Sequence, residues 1–371
     1  MESSNTDFWK FLSYITLVLC LYLTSVNVGH AQESQQDSTS YKSFFGGYPI
    51  AFFTPETRWG FGAAGVYNHF PGKNKSSRPS QWQLGGAYTL NNQILSFCFY
   101  NIFLDDNKHN LFGEIGYYDY FYQYFGTGNQ TLYADEELYS VQFPRIRVNY
   151  LRKWKEEIYI GGFFHSDLYD ISEVEDEGLL QTSQINGYDG SVISRLGLLF
   201  RIDSRDNIFY PTKGTFSTLE LTFNNQAIGA TENYQAISLD VSKYHSFGKH
   251  ILAFNGWLGQ QFGEVPFQEL LALGGGKKAR GIITGRYRDK AVLLFQGEYR
   301  FPIYWRFSGA AFASAGNVEE QLSNLFDANW RINYGAGLRF LLDKNNKTNV
   351  RVDVAFGSDE TNFYFTVNEA F

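Results

Sequence analysis

Residues 193–203 read ISRLGLLFRID, and the apolar side chains fall on every second position. Leu196, Leu198, Phe200 and Ile202 share one face, while Arg195, Gly197, Arg201 and Asp203 share the other. The same period of two returns in 292–301, where Leu293, Phe295, Tyr299 and Phe301 oppose Gln296, Glu298 and Arg300. It returns again in 349–356, where Val350, Val352, Val354 and Phe356 oppose Arg351 and Asp353. Successive side chains of a strand point to opposite faces, so each segment reads as a two-faced strand. A soluble sandwich alternates too, but its strands run to about 5–6 residues. Many segments here run to ten or more, and a strand that crosses a bilayer takes about 9–11. The expected arrangement is therefore the inverted one, with apolar faces toward lipid and polar faces toward an enclosed lumen.

About 16 such segments can be counted, an even number as single-chain bacterial barrels have. The last four are expected at 304–317, 328–342, 347–357 and 361–371. Connections alternate in length from the middle of the chain onward. WKEE, SFGK and DKNNK are short, whereas 124–136, 171–188, 263–290 and 318–328 are long. That asymmetry fits short turns at one membrane face and long loops at the other. Aromatic residues make up 18% of the chain, and Tyr117, Tyr118, Tyr120, Tyr122, Tyr124, Tyr304, Trp305 and Trp330 gather near segment ends. They are expected to form an interfacial girdle. Thirty-six glycines against 8 prolines also suit strands and tight turns.

Residues 1–31 are expected to be a secretory signal, with an apolar run from Phe11 to Val26 and cleavage after Ala31; an uncleaved anchor is the alternative. Residues 32–42 are polar and aperiodic and read as a short disordered tail, and 43–371 as the barrel. Past the signal, Cys98 is the only cysteine, so no internal disulfide is available, and it reads as a small apolar residue. A net charge of −7 argues against nucleic-acid binding.

The stretch RIDSRDNIFYPTKGTF resembles the Asp-x-Arg-Asp-Asn…Pro-x-x-Gly signature of the bacterial surface antigen family, the BamA- and TamA-like outer-membrane barrels. Asp203, Arg205, Asp206, Pro211 and Gly214 carry it. Ala279-Arg280-Gly281-Ile282, inside the basic loop GGGKKARGIITGRYRDK, resembles that family's inward-folded Arg-Gly loop, and falls where the family has it, between strands 11 and 12. The later segments GEYR, AFASAGNV, GAGLRF and RVDVAFG are similar to the family's last strands in order. The resemblance implies that Arg280 is held in the lumen by wall carboxylates, with Glu298 and Asp353 as candidates. Gly281 would let the backbone pass close to the wall. The family's strand-13 aspartate is replaced by Ser314, so one usual partner is expected to be missing. No room for periplasmic POTRA modules is seen between Ala31 and the first strand.

Little else in the sequence suggests chemistry. GTGN and GGGKK do not complete a phosphate-binding loop, the histidines show no metal-ligand spacing, and no G-x-S-x-G is present. No cofactor, metal or catalytic residue is expected. Phe371 resembles the C-terminal aromatic targeting signal of outer-membrane proteins, at an outward position. The family implies aid to protein or lipid insertion or translocation at the bacterial outer membrane. Its partners would be outer-membrane lipid, the barrel-assembly machinery during biogenesis and a separate periplasmic protein. A passive porin-like or structural barrel is the alternative.

Overall fold

The computed structural model describes residues 43–54, 58–69, 80–343, 347–358 and 360–371. The expected signal and polar tail lie outside these residues. The strands are β1 (Phe44–Thr54), β2 (Arg58–His69), β3 (Ser80–Thr89), β4 (Ile94–Leu104), β5 (His109–Tyr124), β6 (Glu137–Lys155), β7 (Ile158–Glu173), β8 (Ser191–Asp203) and β9 (Gly214–Asn224). They continue as β10 (Tyr234–Phe247), β11 (His250–Gly263), β12 (Leu271–Leu273), β13 (Tyr287–Asp289), β14 (Ala291–Tyr304), β15 (Phe307–Glu319), β16 (Arg331–Asp343), β17 (Thr348–Phe356) and β18 (Thr361–Val367). Sixteen of them form one antiparallel sheet in chain order, while β12 and β13 pair only with each other. The sheet is a transmembrane barrel, and the β12–β13 hairpin belongs to the loop between its eleventh and twelfth strands.

The alternation sorts the wall as the pattern demands. Leu196, Leu198, Phe254, Phe295, Ile332 and Leu338 are exposed on the outside, while Asp167, Glu298, Arg300, Arg339 and Asp353 are buried inside. In lipid every backbone group must be paired within the protein, which a sheet satisfies strand to strand.

Wall height is uneven. β5, β6 and β7 run to 16, 19 and 16 residues. β17 has 9 and β18 only 7, at or below the roughly 9–11 of a full crossing. The short strand ends at the edge of the sheet. Cα atoms of β1 and β18 approach within 8 Å, but no ladder joins them among the described residues.

Three of the five tyrosines of β5 depart from the expected girdle, while Tyr117 stays exposed. Tyr118, Tyr122 and Tyr124 turn inward and pack with Phe143, Tyr139 and Phe267. β5 is tall enough there to rise past the girdle level, and the incoming loop supplies apolar partners. Tyr304 and Trp305, at the opposite end, are 79% and 71% exposed on the outside, as a girdle requires.

Candidate functional site

The inward row of β14 changes character along its length. Val292 and Leu294 are fully buried and pack against Leu273, Ala279, Ile282 and Tyr287 of the loop. One step further, Gln296 grips the loop's main chain: its Oε1 accepts from Ala279 N at 3.0 Å and its Nε2 donates to Lys277 O at 3.1 Å. Glu298 and Arg300 follow, both buried. One strand thus presents apolar surface, then an amide, then charge to successive parts of the loop.

Arg280 enters at the charged level and is 2% exposed. Its Nη1 donates to Asp353 Oδ2 and its Nη2 to Glu298 Oε2, each at 2.6 Å. The guanidinium lies 3.5 Å from the centroid of the Phe312 ring. A planar fork can reach two carboxylates on different strands while stacking on a ring, which an ammonium cannot. The carboxylates are shared further. Glu298 accepts from Arg300 Nε at 2.6 Å and Arg339 Nη2 at 3.3 Å. Asp353 accepts from Arg339 Nη1 and lies 3.4 Å from Arg351 Nη1. Arg339 Nε donates to Glu369 at 3.2 Å. Four guanidiniums therefore meet three carboxylates in a cluster that joins the loop to β14, β16, β17 and the chain's last residues. Removing one member of such a buried cluster leaves its partners with charged hydrogen bonds unmade, which is what makes it a lock.

Gly281 follows the arginine at φ 107°. A Cβ there would come within 3.0 Å of the Phe356 carbonyl carbon and 3.1 Å of Gly357 N, so two backbones meet at this point. Gly281 N donates to Tyr364 Oη at 3.0 Å, and Arg351 Nη2 donates to Gly276 O at 2.9 Å.

The four residues expected at the lock, Arg280, Gly281, Glu298 and Asp353, thus come together. Ser314 is not a partner of the arginine; its Oγ accepts from Asn333 Nδ2 at 3.4 Å. Phe312, two positions earlier on β15, supplies the ring beneath Arg280 instead. The sequence reading missed Arg300, Arg339, Arg351 and Glu369. The first three share the inward parity of Glu298 and Asp353, so charge at lumen-facing positions was the available signal. Three more loop cations have partners of their own. Lys278 Nζ meets Asp240 and donates to Asn255 Oδ1 at 3.1 Å; burial lowers its pKa, and Asp240 opposes that. Arg286 donates to Glu360 at 3.1 Å, and Arg288 to the carbonyls of Gly285, Gln123 and Phe267.

The signature residues form a separate turn between β8 and β9. Arg205 grips Asp203 through Nε at 2.8 Å and Nη2 at 3.0 Å and stacks on Phe216. Asp206 accepts from Thr212 N at 2.8 Å, Thr212 Oγ1 at 2.6 Å and Lys213 N at 3.1 Å. Gly214 has φ 107°, and a Cβ would lie 2.2 Å from Ser204 O. Pro211 O accepts from Arg300 Nη1 at 3.3 Å, which ties this turn to the lock.

Phe371 does not occupy the expected outward place on the final strand. β18 stops at Val367, and Asn368 takes φ 67° while its N donates to Asn349 O at 2.8 Å. The chain then turns inward. Glu369 is held by Arg339 and by Asn349 Nδ2 at 3.1 Å, and Phe371 O accepts from Arg300 Nη2 at 3.1 Å. Buried cations on β14 and β16 supply the pull that ends the alternation.

The base of the loop is held differently. Val265, Phe267 and Leu270 are buried among Tyr124, Tyr139, Val141, Phe143, Leu180 and Tyr234, at the tall side of the wall. Leu180 lies on a short helix, α1 (Leu179–Ser183), in the β7–β8 connection.

A family model described as the Omp85 superfamily domain matches residues 9–371. Comparison with curated proteins finds no match. Among solved structures, the chain is similar to BamA from Haemophilus ducreyi lacking POTRA domains 1–3, with TM-score 0.57 and 17% identity over 88% of this chain and 69% of that one. It is similar to CdiB from Escherichia coli, with TM-score 0.57 and 10% identity over 88% of this chain and 62% of that one. For CdiB from Acinetobacter baumannii the values are 0.53, 11%, 88% and 59%. The chain therefore spans about six-tenths of the CdiB chains. At such identities the likeness is one of fold. The family match covers nearly the whole chain, and the protein belongs to the Omp85 superfamily.

Proposed function

We propose that this barrel aids insertion or translocation of protein or lipid at the bacterial outer membrane, without bond-making chemistry of its own. One observation carries the proposal. The loop tip is fastened to β14, β16 and β17 beside a sheet edge where a 7-residue β18 and β1 share no described ladder. An internal tie keeps the last strands together as a unit, so the edge next to them can part without losing the fold. A substrate strand or lipid would enter there, and a separate periplasmic protein would deliver it. The loop in the lumen weighs against the alternative of an open passive pore.

Depletion of the protein followed by outer-membrane proteomics and a lipid-asymmetry assay tests this. A fall in barrel proteins or loss of asymmetry is expected. Unchanged membranes, together with steady conductance of the purified protein in planar bilayers, would replace the proposal with the porin reading.

A further inference from the structure

Between the tall wall and the inner face of the loop lies a cavity of about 330 Å³. That is the lower end of small-molecule pockets, roughly 300–1,000 Å³. Its lining includes Arg145 and Arg147 of β6, Arg195 of β8 and Arg288 of β13, with Glu269 as the one carboxylate there among the described residues. Glu269 is engaged by Arg195. Asp167, fully buried behind the lining, is shared by Arg145 and by Arg147 at 3.1 Å. Glu114 and Glu220, on neighbouring strands, do not line the cavity. The lining itself thus holds four guanidiniums and one carboxylate, already engaged, while Asp167, Glu114 and Glu220 lie behind it; at the cavity surface donors outnumber acceptors, and an anion would supply the missing oxygens.

The donors confirm the direction of the imbalance. Arg147 Nε is buried with no acceptor. The Arg147 side chain is 28% exposed while Asp167 behind it is fully buried, so the cation and not the carboxylate reaches the cavity. His165 lies across from both Arg147 and Arg195 in one cross-strand row, and its Nδ1 is also buried without a partner. Arg288 donates to the main-chain carbonyls of Gly285, Phe267 and Gln123 and meets Tyr139 and the Tyr124 ring, and none of these partners is a carboxylate. Tyr122, Tyr139 and Tyr169 add hydroxyls to the same space.

We propose that this cavity binds a phosphate-bearing anion through Arg145, Arg147, Arg195 and Arg288. Guanidinium forks converging from three elements suit an oxyanion with several acceptor oxygens, and a phosphate monoester presents such oxygens with close to two negative charges. The phosphate belongs either to a soluble molecule or to a lipid headgroup. A bound anion bridges Arg288 on the loop to Arg147 on the wall, so occupancy fastens the loop's base. This site is separate from the Arg280 lock and independent of the insertion proposal.

The test is titration calorimetry on the detergent-solubilised full barrel with inorganic phosphate, and separately with a short-chain phosphatidic acid. Ionic strength is held constant with chloride. Saturable one-to-one binding is expected with at least one of the two. Tighter binding of phosphatidic acid assigns the headgroup source, and tighter binding of phosphate the soluble one. Arg147→Gln and Arg288→Gln should each weaken binding at least tenfold, whereas Lys290→Gln, outside the cavity, should leave it unchanged. Arg147→Lys, which keeps the charge beside Asp167, guards against misfolding of the glutamine variant and should weaken binding several-fold. No saturable binding with either probe, or equal binding by wild type and both glutamine variants, or equal loss in Lys290→Gln, would overturn the proposal.

Discussion

One loop enters the lumen and is held at two places by opposite means. At its tip, Arg280 sits between Glu298 and Asp353 on the low side of the barrel, in a cluster where every member is charged and directional. At its base, Phe267 and Leu270 sit among tyrosines and aliphatic side chains on the tall side, where packing is mainly apolar and its geometry is forgiving, with the Arg195–Glu269 pair beside it. Apolar packing tolerates changes of shape as long as volume is kept. A buried charge cluster tolerates almost nothing, because each deletion strands a partner. The tip therefore fixes position, and the base supplies adhesion.

The largest expected effect follows from that contrast. Arg280→Ala should destabilise the folded barrel by about 3–5 kcal/mol, since it takes a 2.6 Å charged hydrogen bond from each of Glu298 and Asp353 and leaves a hole over Phe312. The temperature at which the folded band disappears on semi-native gels is the readout. Lys277→Ala, at an exposed neighbouring position, should scarcely move it. Equal shifts for the two would remove the lock.

Conservative replacements sharpen the comparison. Arg280→Lys keeps charge but cannot span two carboxylates and stack on Phe312, so it should lose charged hydrogen bonding worth about 1.5–3 kcal/mol. Leu270→Met, the matching swap at the base, should cost less than about 1.5 kcal/mol. If the methionine variant melted lower than the lysine variant, the two ends of the loop would not differ in kind. Gly281→Ala comes next. A side chain at φ 107° that must also enter the 3.0 Å approach to Phe356 should cost about 1–2 kcal/mol, read in the same assay.

The two ends also differ in how well the sequence discloses them. Period-two alternation reveals parity, and a charge at an inward position has few reasons to be there except another charge. The family resemblance pointed to wall carboxylates as partners for Arg280, parity placed Glu298 and Asp353 inward, and Arg300, Arg339 and Arg351 carried the same parity signal. Glu369 was hidden because alternation was extended through the end of the chain, whereas Asn368 turns it inward. The base was misread for a related reason. Tyrosines near a strand end fit a lipid interface and a lumen filling equally well, and only the height of β5 against the loop separates the two. The cavity arginines on β6 and β8 meet across strands distant in sequence, and no local pattern announces that the loop closes over them.

The smallest expected effect concerns the turn that abuts the lock. Partial burial raises the pKa of Asp206, but hydrogen bonds from the Thr212 hydroxyl and from the Thr212 and Lys213 main chain outweigh it, and the net shift is downward. A carboxyl whose folded pKa is depressed lends stability above its unfolded pKa, near about 3.9, and loses it as pH falls through the folded value. Wild type should thus lose a small increment of stability as pH falls below about 4 that Asp206→Asn does not lose. The amide oxygen can still accept the two main-chain hydrogen bonds that reach Oδ1, and only the one from the Thr212 hydroxyl is lost, so the variant should fold. Because Thr212 and Lys213 directly follow Pro211, whose carbonyl accepts from Arg300, loosening this turn should reach the charged tip before the apolar base. Hydrogen exchange checks that order: amides beside Arg280 should lose protection in Asp206→Asn while those beside Phe267 keep it. Equal loss at both ends would mean that the turn supports the barrel as a whole and that its tie to the lock carries no special weight.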